Sequence, residues 1–102
     1  STRSSQLSKA ESELNDETLA LTLKTLGDET RYKVLIELIQ PHAKNKDIAK
    51  KLGLTRASIS FHTQKLLNSG LLELVVDDDS VKYTVNKELI RKIIEKFKQD
   101  LT

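Results

Sequence analysis

The segment DIAKKLGLTRASISFHTQKLL, residues 47–67, constrains the fold more than any other part of the chain. Ala49 is small enough to let two helices cross closely, and Gly53 follows where a tight corner needs a positive φ. Ile59 is then placed to pack the second helix against the first. Two short amphipathic helices joined by glycine occur in many α proteins, but this spacing is the one that a helix-turn-helix requires.

Positive charge is concentrated in the same part of the chain. Residues 44–65 hold six Lys or Arg against one acidic residue, a net charge of +5, whereas all 102 residues together carry only +2. A clustered basic segment is typical of nucleic-acid contact, although a solvated helix face has the same composition. Because the cluster coincides with the helix-turn-helix, we expect the second helix of the pair to enter a DNA major groove.

A β-hairpin is predicted directly after this unit, in the segment LELVVDDDSVKYTV. If Asp78 and Asp79 are the central turn residues, the strands pair so that one face of the hairpin is apolar. The opposing pairs are then Val76–Val81, Leu74–Tyr83 and Leu72–Val85, with Glu73, Val75, Lys82 and Thr84 on the other face. A hairpin in this position favours a winged helix-turn-helix.

Three more helices are predicted from capping residues and apolar spacing. Asn15, Asp28 and Asn86 are each placed to cap a helix, and Pro41 ends the second of them. The predicted fold class is therefore mainly α with a two-stranded β-hairpin wing, in the order α-α-α-α-β-β-α. Residues 1–14 are polar and Ser-rich, and we interpret them as a lead-in or linker before one domain at residues 15–102.

Composition excludes several classes of protein. The chain has no cysteine, so disulfides and thiolate metal sites are excluded. No apolar run approaches the roughly 20 residues of a membrane helix, and no secretory signal is visible, so we expect a cytoplasmic protein without membrane association. No nucleophile motif or glycine-rich phosphate loop is present, so no enzyme is expected. The start at Ser1 and the absence of methionine indicate a processed chain or a domain of a longer one.

The chain resembles the ArsR-type transcriptional regulators over residues 19–101. LKTLGDETRYKVLIELI is similar to the opening of these proteins, DIAKKLGLTRASISFHTQKLLNSGLL to their DNA-binding unit, and VKYTVNKE to their second wing strand and the start of their final helix. The resemblance implies a sequence-specific regulator of transcription, expected to be a repressor, that binds double-stranded DNA. It also implies a homodimer on an operator with two-fold symmetry.

In such a homodimer the first and last helices form the interface. Two apolar stripes of this chain suit that role, and the alternative is that they complete the core of a single chain. The predicted interface residues are Leu19, Leu23, Ile90, Ile94, Phe97 and Leu101.

The chain departs from the ArsR-type pattern at the metal sites. Many members sense metals through a Cys-x-Cys before the Asp-Ile-Ala position or through Asp/His pairs on the last helix. Here Lys44 and Lys46 occupy the first position, and the last helix offers Glu88, Glu95 and Asp100 but no histidine. We therefore predict no metal site by the family's usual ligands and no cofactor, and we leave the effector open.

The DNA contacts are predicted from the side of the fourth helix that faces away from Ile59. Arg56 suits a guanine edge, Gln64 an adenine, and Phe61 or Ala57 a thymine methyl, whereas lysines suit phosphates. For Phe61 the alternative is packing against the wing or a neighbouring helix. We expect His62 to be structural and His42 to lie in a solvated loop. The predicted contacts are Lys46, Lys50, Lys51, Thr55, Arg56, Ala57, Ser58, Ser60, Phe61, Gln64, Lys65 and Lys82.

Three carboxylates at the wing tip, Asp77, Asp78 and Asp79, are at odds with DNA contact because phosphates repel them. The preferred interpretation is a tip that points away from the duplex. A divalent cation at the tip is disfavoured because three consecutive side chains on a hairpin cannot converge on one ion. The alternative function is a winged-helix interaction or dimerisation module of a larger regulatory protein, with the acidic wing facing a basic partner. Single-stranded nucleic acid is a third option, but two Phe and two Tyr are few for base stacking.

Overall fold

The computed structural model describes residues 14–41 and 43–102. These residues form α1 (Asp16–Leu26), α2 (Glu29–Leu38), α3 (Asn45–Leu52), α4 (Arg56–Ser69), β1 (Leu72–Asp77), β2 (Ser80–Val85) and α5 (Lys87–Leu101). The predicted fold class and element order are confirmed. The predictions for the polar lead-in, apart from Leu14, and for His42 fall outside the described residues.

Three of the helices follow the predicted capping residues, and Thr55 caps α4 in the same way. Asn15, Asp28, Thr55 and Asn86 accept a hydrogen bond from the backbone N–H three positions on, at 2.7, 2.9, 3.0 and 3.1 Å respectively. Each cap satisfies an N–H group that the first turn of a helix leaves without a partner. The short helix α3 begins at Asn45 itself and has no side-chain cap.

The core lies where α2, α3 and α4 meet the base of the hairpin. Val34, Ile59, Leu66 and Leu71 are fully buried there, and Leu72 is 1% exposed. Leu71 and Leu72 carry the chain from α4 into the wing, so the base of the hairpin is fixed by the same core that holds the helices. The wing therefore has a set direction relative to α4.

The buried face of α1 differs from the predicted stripe of leucines. Leu19, Thr22 and Thr25 are the buried residues of this helix, whereas Leu23 and Leu26 are only half-buried. The threonines tolerate burial because their hydroxyls donate to the carbonyls of Thr18 and Leu21, at 2.9 and 3.0 Å. Leu19 belongs to the core of the single chain.

The hairpin has the predicted register, with Leu72, Leu74 and Val76 opposite Val85, Tyr83 and Val81. Asp78 adopts a positive φ of 51°, a conformation that Asp tolerates better than most residues. The apolar face is buried only at its base, because Leu74, Val76 and Val81 are 51%, 71% and 59% exposed. The outer half of the wing therefore projects from the domain.

The last helix packs only lightly against the rest of the chain. Ile93 is the buried residue of α5. An ion pair adds a second attachment, since Lys96 Nζ lies 2.8 Å from Asp16 Oδ1 on α1 and 2.9 Å from Asp100 Oδ2. No helix within residues 14–41 or 43–102 is long and apolar enough to cross a membrane.

Candidate nucleic-acid interface

The turn between α3 and α4 has the geometry that the spacing of Ala49, Gly53 and Ile59 predicts. Gly53 has a φ of 69°, and the N–H of Leu54 donates to the carbonyl of Ala49 at 2.8 Å. Ile59 is fully buried and Ala49 is 9% exposed, so the two helices pack through a small residue and an apolar plug. The crossed pair is a helix-turn-helix.

The fourth helix has a buried side and an exposed side. Ile59, His62, Thr63 and Leu66 are buried, and Leu67 is half-buried. The predicted contacts on this helix lie on the opposite side. Exposed there are Arg56, Ala57, Ser60, Phe61, Gln64 and Lys65, while Ser58 is half-buried.

Phe61 lies on the exposed side with 54% of its surface accessible. The alternative in which it packs against the wing or a neighbouring helix is therefore wrong. The ring stands edge-to-face with His62, with centroids 5.5 Å apart, and Lys65 Nζ lies 5.4 Å from its centroid. These contacts orient an aromatic ring at the surface, where it can meet a thymine methyl.

The predicted phosphate contacts outside α4 lie on α3 and on the wing. Lys46 and Lys50 on α3 and Lys82 on the wing are exposed. Lys51 is also exposed, but its ammonium pairs with Glu37 at 2.9 Å, so part of its charge is neutralised within the fold. Lys46, Lys50 and Lys82 make no ion pair with any described carboxylate, so their charges are not neutralised by such a pair within the described residues.

Two predicted contacts already take part in hydrogen bonds of the fold. The hydroxyl of Thr55 accepts the N–H of Ser58 at 3.0 Å, so its own proton stays available for a phosphate oxygen. The Gln64 side-chain amide donates to Asn68 Oδ1 at 2.9 Å. That bond is exposed and would have to give way if Gln64 contacts an adenine, at little cost because water competes for both groups.

The structure places His62 on the buried side of α4, as predicted for a structural residue, with 8% of its surface accessible. Asp28, the N-cap residue of α2, lies near His62. The N–H of Arg31 donates to the Asp28 carboxylate, and this bond, with the nearby Arg31 and His62, holds the pKa of Asp28 below its ordinary value.

The predicted dimer residues divide into two groups. Leu19 is buried within the single chain, and Leu23, Ile90 and Phe97 are half-buried. Ile94 and Leu101 are 52% and 76% exposed. The alternative that the stripes complete the core thus applies to Leu19, while the outer face of α5 carries apolar side chains that the chain does not cover.

Comparisons with known proteins agree with this geometry. The sequence family described as winged helix-turn-helix DNA-binding matches residues 27–73. The HTH-type transcriptional regulator CmtR of Mycobacterium tuberculosis is 30% identical over 73 residues, which make up 72% of this chain and 62% of that protein. An uncharacterised protein of Methanocaldococcus jannaschii is 35% identical over 77 residues, or 71% of this chain and 28% of that protein. The chain thus spans less than two thirds of either relative.

Solved structures share the fold. An ArsR-like transcriptional regulator from a Rhodococcus species superposes with a TM-score of 0.69 and 26% identity, over 81% of this chain and 78% of that one. CmtR of Mycobacterium tuberculosis, described as a cadmium metal-sensor, superposes with a TM-score of 0.56 and 26% identity, over 80% of this chain and 85% of that one. A homodimeric winged helix-turn-helix domain from Mycobacterium bovis superposes with a TM-score of 0.59 and 21% identity, over 84% of this chain and 83% of that one.

The chain is therefore a winged helix-turn-helix protein. Among proteins of this class it is similar to the ArsR-type regulators, as its sequence predicts. The relatives whose function is named regulate transcription and are not enzymes, in agreement with the prediction of no catalysis.

Proposed function

We propose that this protein is a sequence-specific transcriptional regulator that binds double-stranded DNA as a homodimer, with residues 15–102 as its DNA-binding domain. The observation that carries the proposal is the exposed face of α4, where Arg56, Phe61 and Gln64 lie together beside a net charge of +5. A helix surface that only faced water would have no need of an oriented aromatic ring. A major groove offers such a ring a thymine methyl.

Within this face, base and phosphate contacts separate by chemistry. Arg56 is assigned a guanine edge, Gln64 an adenine, and Phe61 with Ala57 a thymine methyl. The hydroxyls of Thr55, Ser58 and Ser60 and the exposed lysines are assigned to the backbone, where they set position. The lysines assigned to DNA phosphates are Lys46, Lys50, Lys51, Lys65 and Lys82.

The weak packing of α5 supports the homodimer. A helix whose buried residue is Ile93, and which leaves Ile94 and Leu101 exposed, gains stability if a second copy covers that face. Two-fold symmetry would then present two α4 helices to successive major grooves. A Mycobacterium bovis domain with the same fold is described as homodimeric, which supports the proposal of a homodimer.

The proposed direction of regulation is repression, and the proposed location is the cytoplasm. A dimer bound to an operator blocks access to the sequence it covers, which is sufficient to repress. We also propose that the protein does not sense metals as CmtR does, because soft cations favour thiolates and the chain has no cysteine. Lys44 and Lys46 stand where many ArsR-type proteins place a Cys-x-Cys.

A second candidate is a protein-interaction module. It is favoured by the outer half of the wing, where Leu74, Val76 and Val81 are exposed beside three carboxylates. This surface suits a basic, apolar protein segment better than it suits DNA. It does not explain the basic face of α4, so DNA binding remains the first proposal.

The test is fluorescence anisotropy of the chain with a random duplex of about 30 base pairs over a range of salt concentrations. A protein that neutralises phosphates should show a log–log slope near −0.9 per phosphate, and we expect about −4 or steeper. Lys50→Gln should make the slope shallower by about 0.9, whereas Lys87→Gln on α5 should not change it. Absence of binding at low salt would reject DNA binding in favour of the interaction module.

A further inference from the structure

A cleft of about 270 Å³ lies behind the exposed face of α4, where that helix meets α1 and α2. Three cationic side chains from three separate helices line it. The residues that line the cleft are Leu21, Lys24 and Thr25 on α1, Arg31 on α2, and Lys65, Asn68 and Ser69 on α4. No acidic residue belongs to this lining, so the cleft concentrates positive charge.

None of the three cations forms an ion pair within the part of the chain that the structure describes, although the charge of Arg31 acts on Asp28 and helps to lower the pKa of that carboxyl group. The ion pairs found there involve Lys33, Lys51, Arg91, Lys96 and Lys98 instead. Glu29, two residues before Arg31, pairs with Lys33, and Asp28 accepts the backbone N–H of Arg31 rather than its guanidinium. Lys24, Arg31 and Lys65 therefore repel one another across a concave surface.

The donors of the cleft are held in place. Arg31 Nη1 donates to the carbonyl of Thr25 at 2.9 Å, which fixes the plane of the guanidinium, and Arg31 Nε is buried with no hydrogen-bond partner among the described residues. Asn68 Oδ1 accepts from Gln64, so the amide nitrogen of Asn68 is the end left to donate. Lys65 is steadied by the ring of Phe61.

We infer that this cleft binds a small oxyanion of two or more negative charges, such as a phosphate or pyrophosphate group. A guanidinium, two ammonium groups and an amide N–H are the donors that phosphate oxygens prefer. The volume lies just below the roughly 300–1,000 Å³ of sites for larger ligands, so a small anion fits.

Such an anion would join the helix that contacts DNA to the helix predicted to form the dimer. Lys65 belongs to the proposed phosphate contacts and Lys24 lies in the last turn of α1. An anion held by both would withdraw Lys65 from DNA, so it would act as an effector that weakens DNA binding. This effector role rests on the proposed function, whereas binding of the anion does not.

The direct test titrates the chain alone, without DNA, with inorganic pyrophosphate at constant ionic strength, by calorimetry and ¹⁵N chemical shifts. We expect saturable binding that moves the amide signals of residues 24, 25, 31, 65, 68 and 69. Lys24→Gln and Lys65→Gln should each weaken it about tenfold or more, the loss for one charge-assisted contact. Arg31→Lys, which keeps the charge, should also weaken it because the fork geometry is lost.

The matched control is Lys87→Gln, which removes an exposed lysine far along the chain and should leave pyrophosphate affinity unchanged. Melting curves of all variants show whether each one folds. Non-saturable binding, equal losses for Lys87→Gln and Lys24→Gln, or full affinity in Lys24→Gln would overturn the site.

A DNA titration separates a free anion from a backbone phosphate as the occupant. If Lys24→Gln makes the salt slope shallower as much as Lys50→Gln does, the cleft is a DNA contact and the free-anion site is rejected. If the slope is unchanged and pyrophosphate weakens DNA binding only when Lys24 is present, the effector role is supported. If the chain does not bind DNA at all, the proposed function fails, but the pyrophosphate titration of the chain without DNA still decides whether the cleft binds an anion.

Discussion

At the scale of single residues, Gly53 sets the angle between α3 and α4 through its backbone. Its φ is 69°, and a Cβ added there would meet no atom within 4 Å. The cost of a side chain is therefore conformational strain and not a clash. We expect Gly53→Ala to lower the free energy of unfolding by about 1–2 kcal/mol, measured by urea denaturation. Gly53→Asn should cost less, because Asn tolerates this conformation, and an equal loss in both variants would contradict the explanation.

Phe61 should matter for recognition and not for folding. Because 54% of its surface is exposed, we expect Phe61→Ala to change the free energy of unfolding by no more than about 0.5 kcal/mol. On an operator selected in vitro it should weaken binding about tenfold, while binding to random DNA stays the same. The control is Tyr32→Ala on α2, since Tyr32 is 52% exposed and outside the proposed contacts. If both variants lose operator affinity equally, Phe61 has no specific role.

At the scale of elements, the wing combines an acidic tip with an exposed apolar half. If the tip points away from the duplex, its charge has little influence on DNA affinity. We expect Asp77→Asn, Asp78→Asn and Asp79→Asn together to change affinity for random DNA less than about threefold at moderate salt. Asparagine is the suitable replacement because Asp78 has a φ of 51°. An increase near a hundredfold would show that the wing lies along the phosphates and opposes binding.

The attachment of α5 to α1 should depend on pH. Lys96 donates to Asp16, and this bond lowers the pKa of Asp16 below its ordinary 3.8 and raises that of Lys96. A lowered pKa contributes stability that is present above the unfolded value and is lost as the pH falls through the folded value. We expect Asp16→Asn to lower the urea midpoint slightly at pH 7 and to match the parent chain in strong acid. Asp47→Asn serves as control, and a difference independent of pH would exclude the ion pair.

Elements governed by local chemistry were predictable from sequence, whereas contacts between distant elements were not. Capping at Asn86 and the pairing of Val76 with Val81 follow from neighbouring residues and a period of two. The burial of Thr22 could not be predicted from the pattern of apolar residues, because that pattern treats threonine as polar. Its hydroxyl is satisfied within the helix by donating to the carbonyl of Thr18. The cleft around Arg31 was missed because it also needs Lys65 of α4, which is far in sequence from Lys24 and Arg31.

At the scale of the whole molecule, the described residues are more extended than a compact domain. Its radius of gyration is 16.1 Å, compared with about 13 Å for a compact domain of about 100 residues. Two elements lie outside the core for much of their length, namely the wing, whose outer half is exposed, and α5, of which Ile93 is the buried residue. Both expose apolar side chains, but only α5 presents them along a whole helix face, with Ile94 and Leu101 beside the half-buried Ile90 and Phe97. That face is the better candidate for contact with a second copy.

A measurement of the oligomeric state therefore tests whether the apolar face of α5 or that of the wing joins two copies of the chain. We expect a dimer for the parent chain in sedimentation equilibrium and a monomer for Ile94→Lys, because a lysine in a closed apolar interface is left without a partner. Ile94 is 52% exposed in the single chain, so the variant should keep its helical circular dichroism. Val76→Lys is the matched control, since Val76 is an apolar wing residue that is 71% exposed and should not affect the dimer. If Val76→Lys gives monomers and Ile94→Lys stays dimeric, the wing and not α5 joins the two copies, and the two α4 helices would no longer be spaced by the last helix.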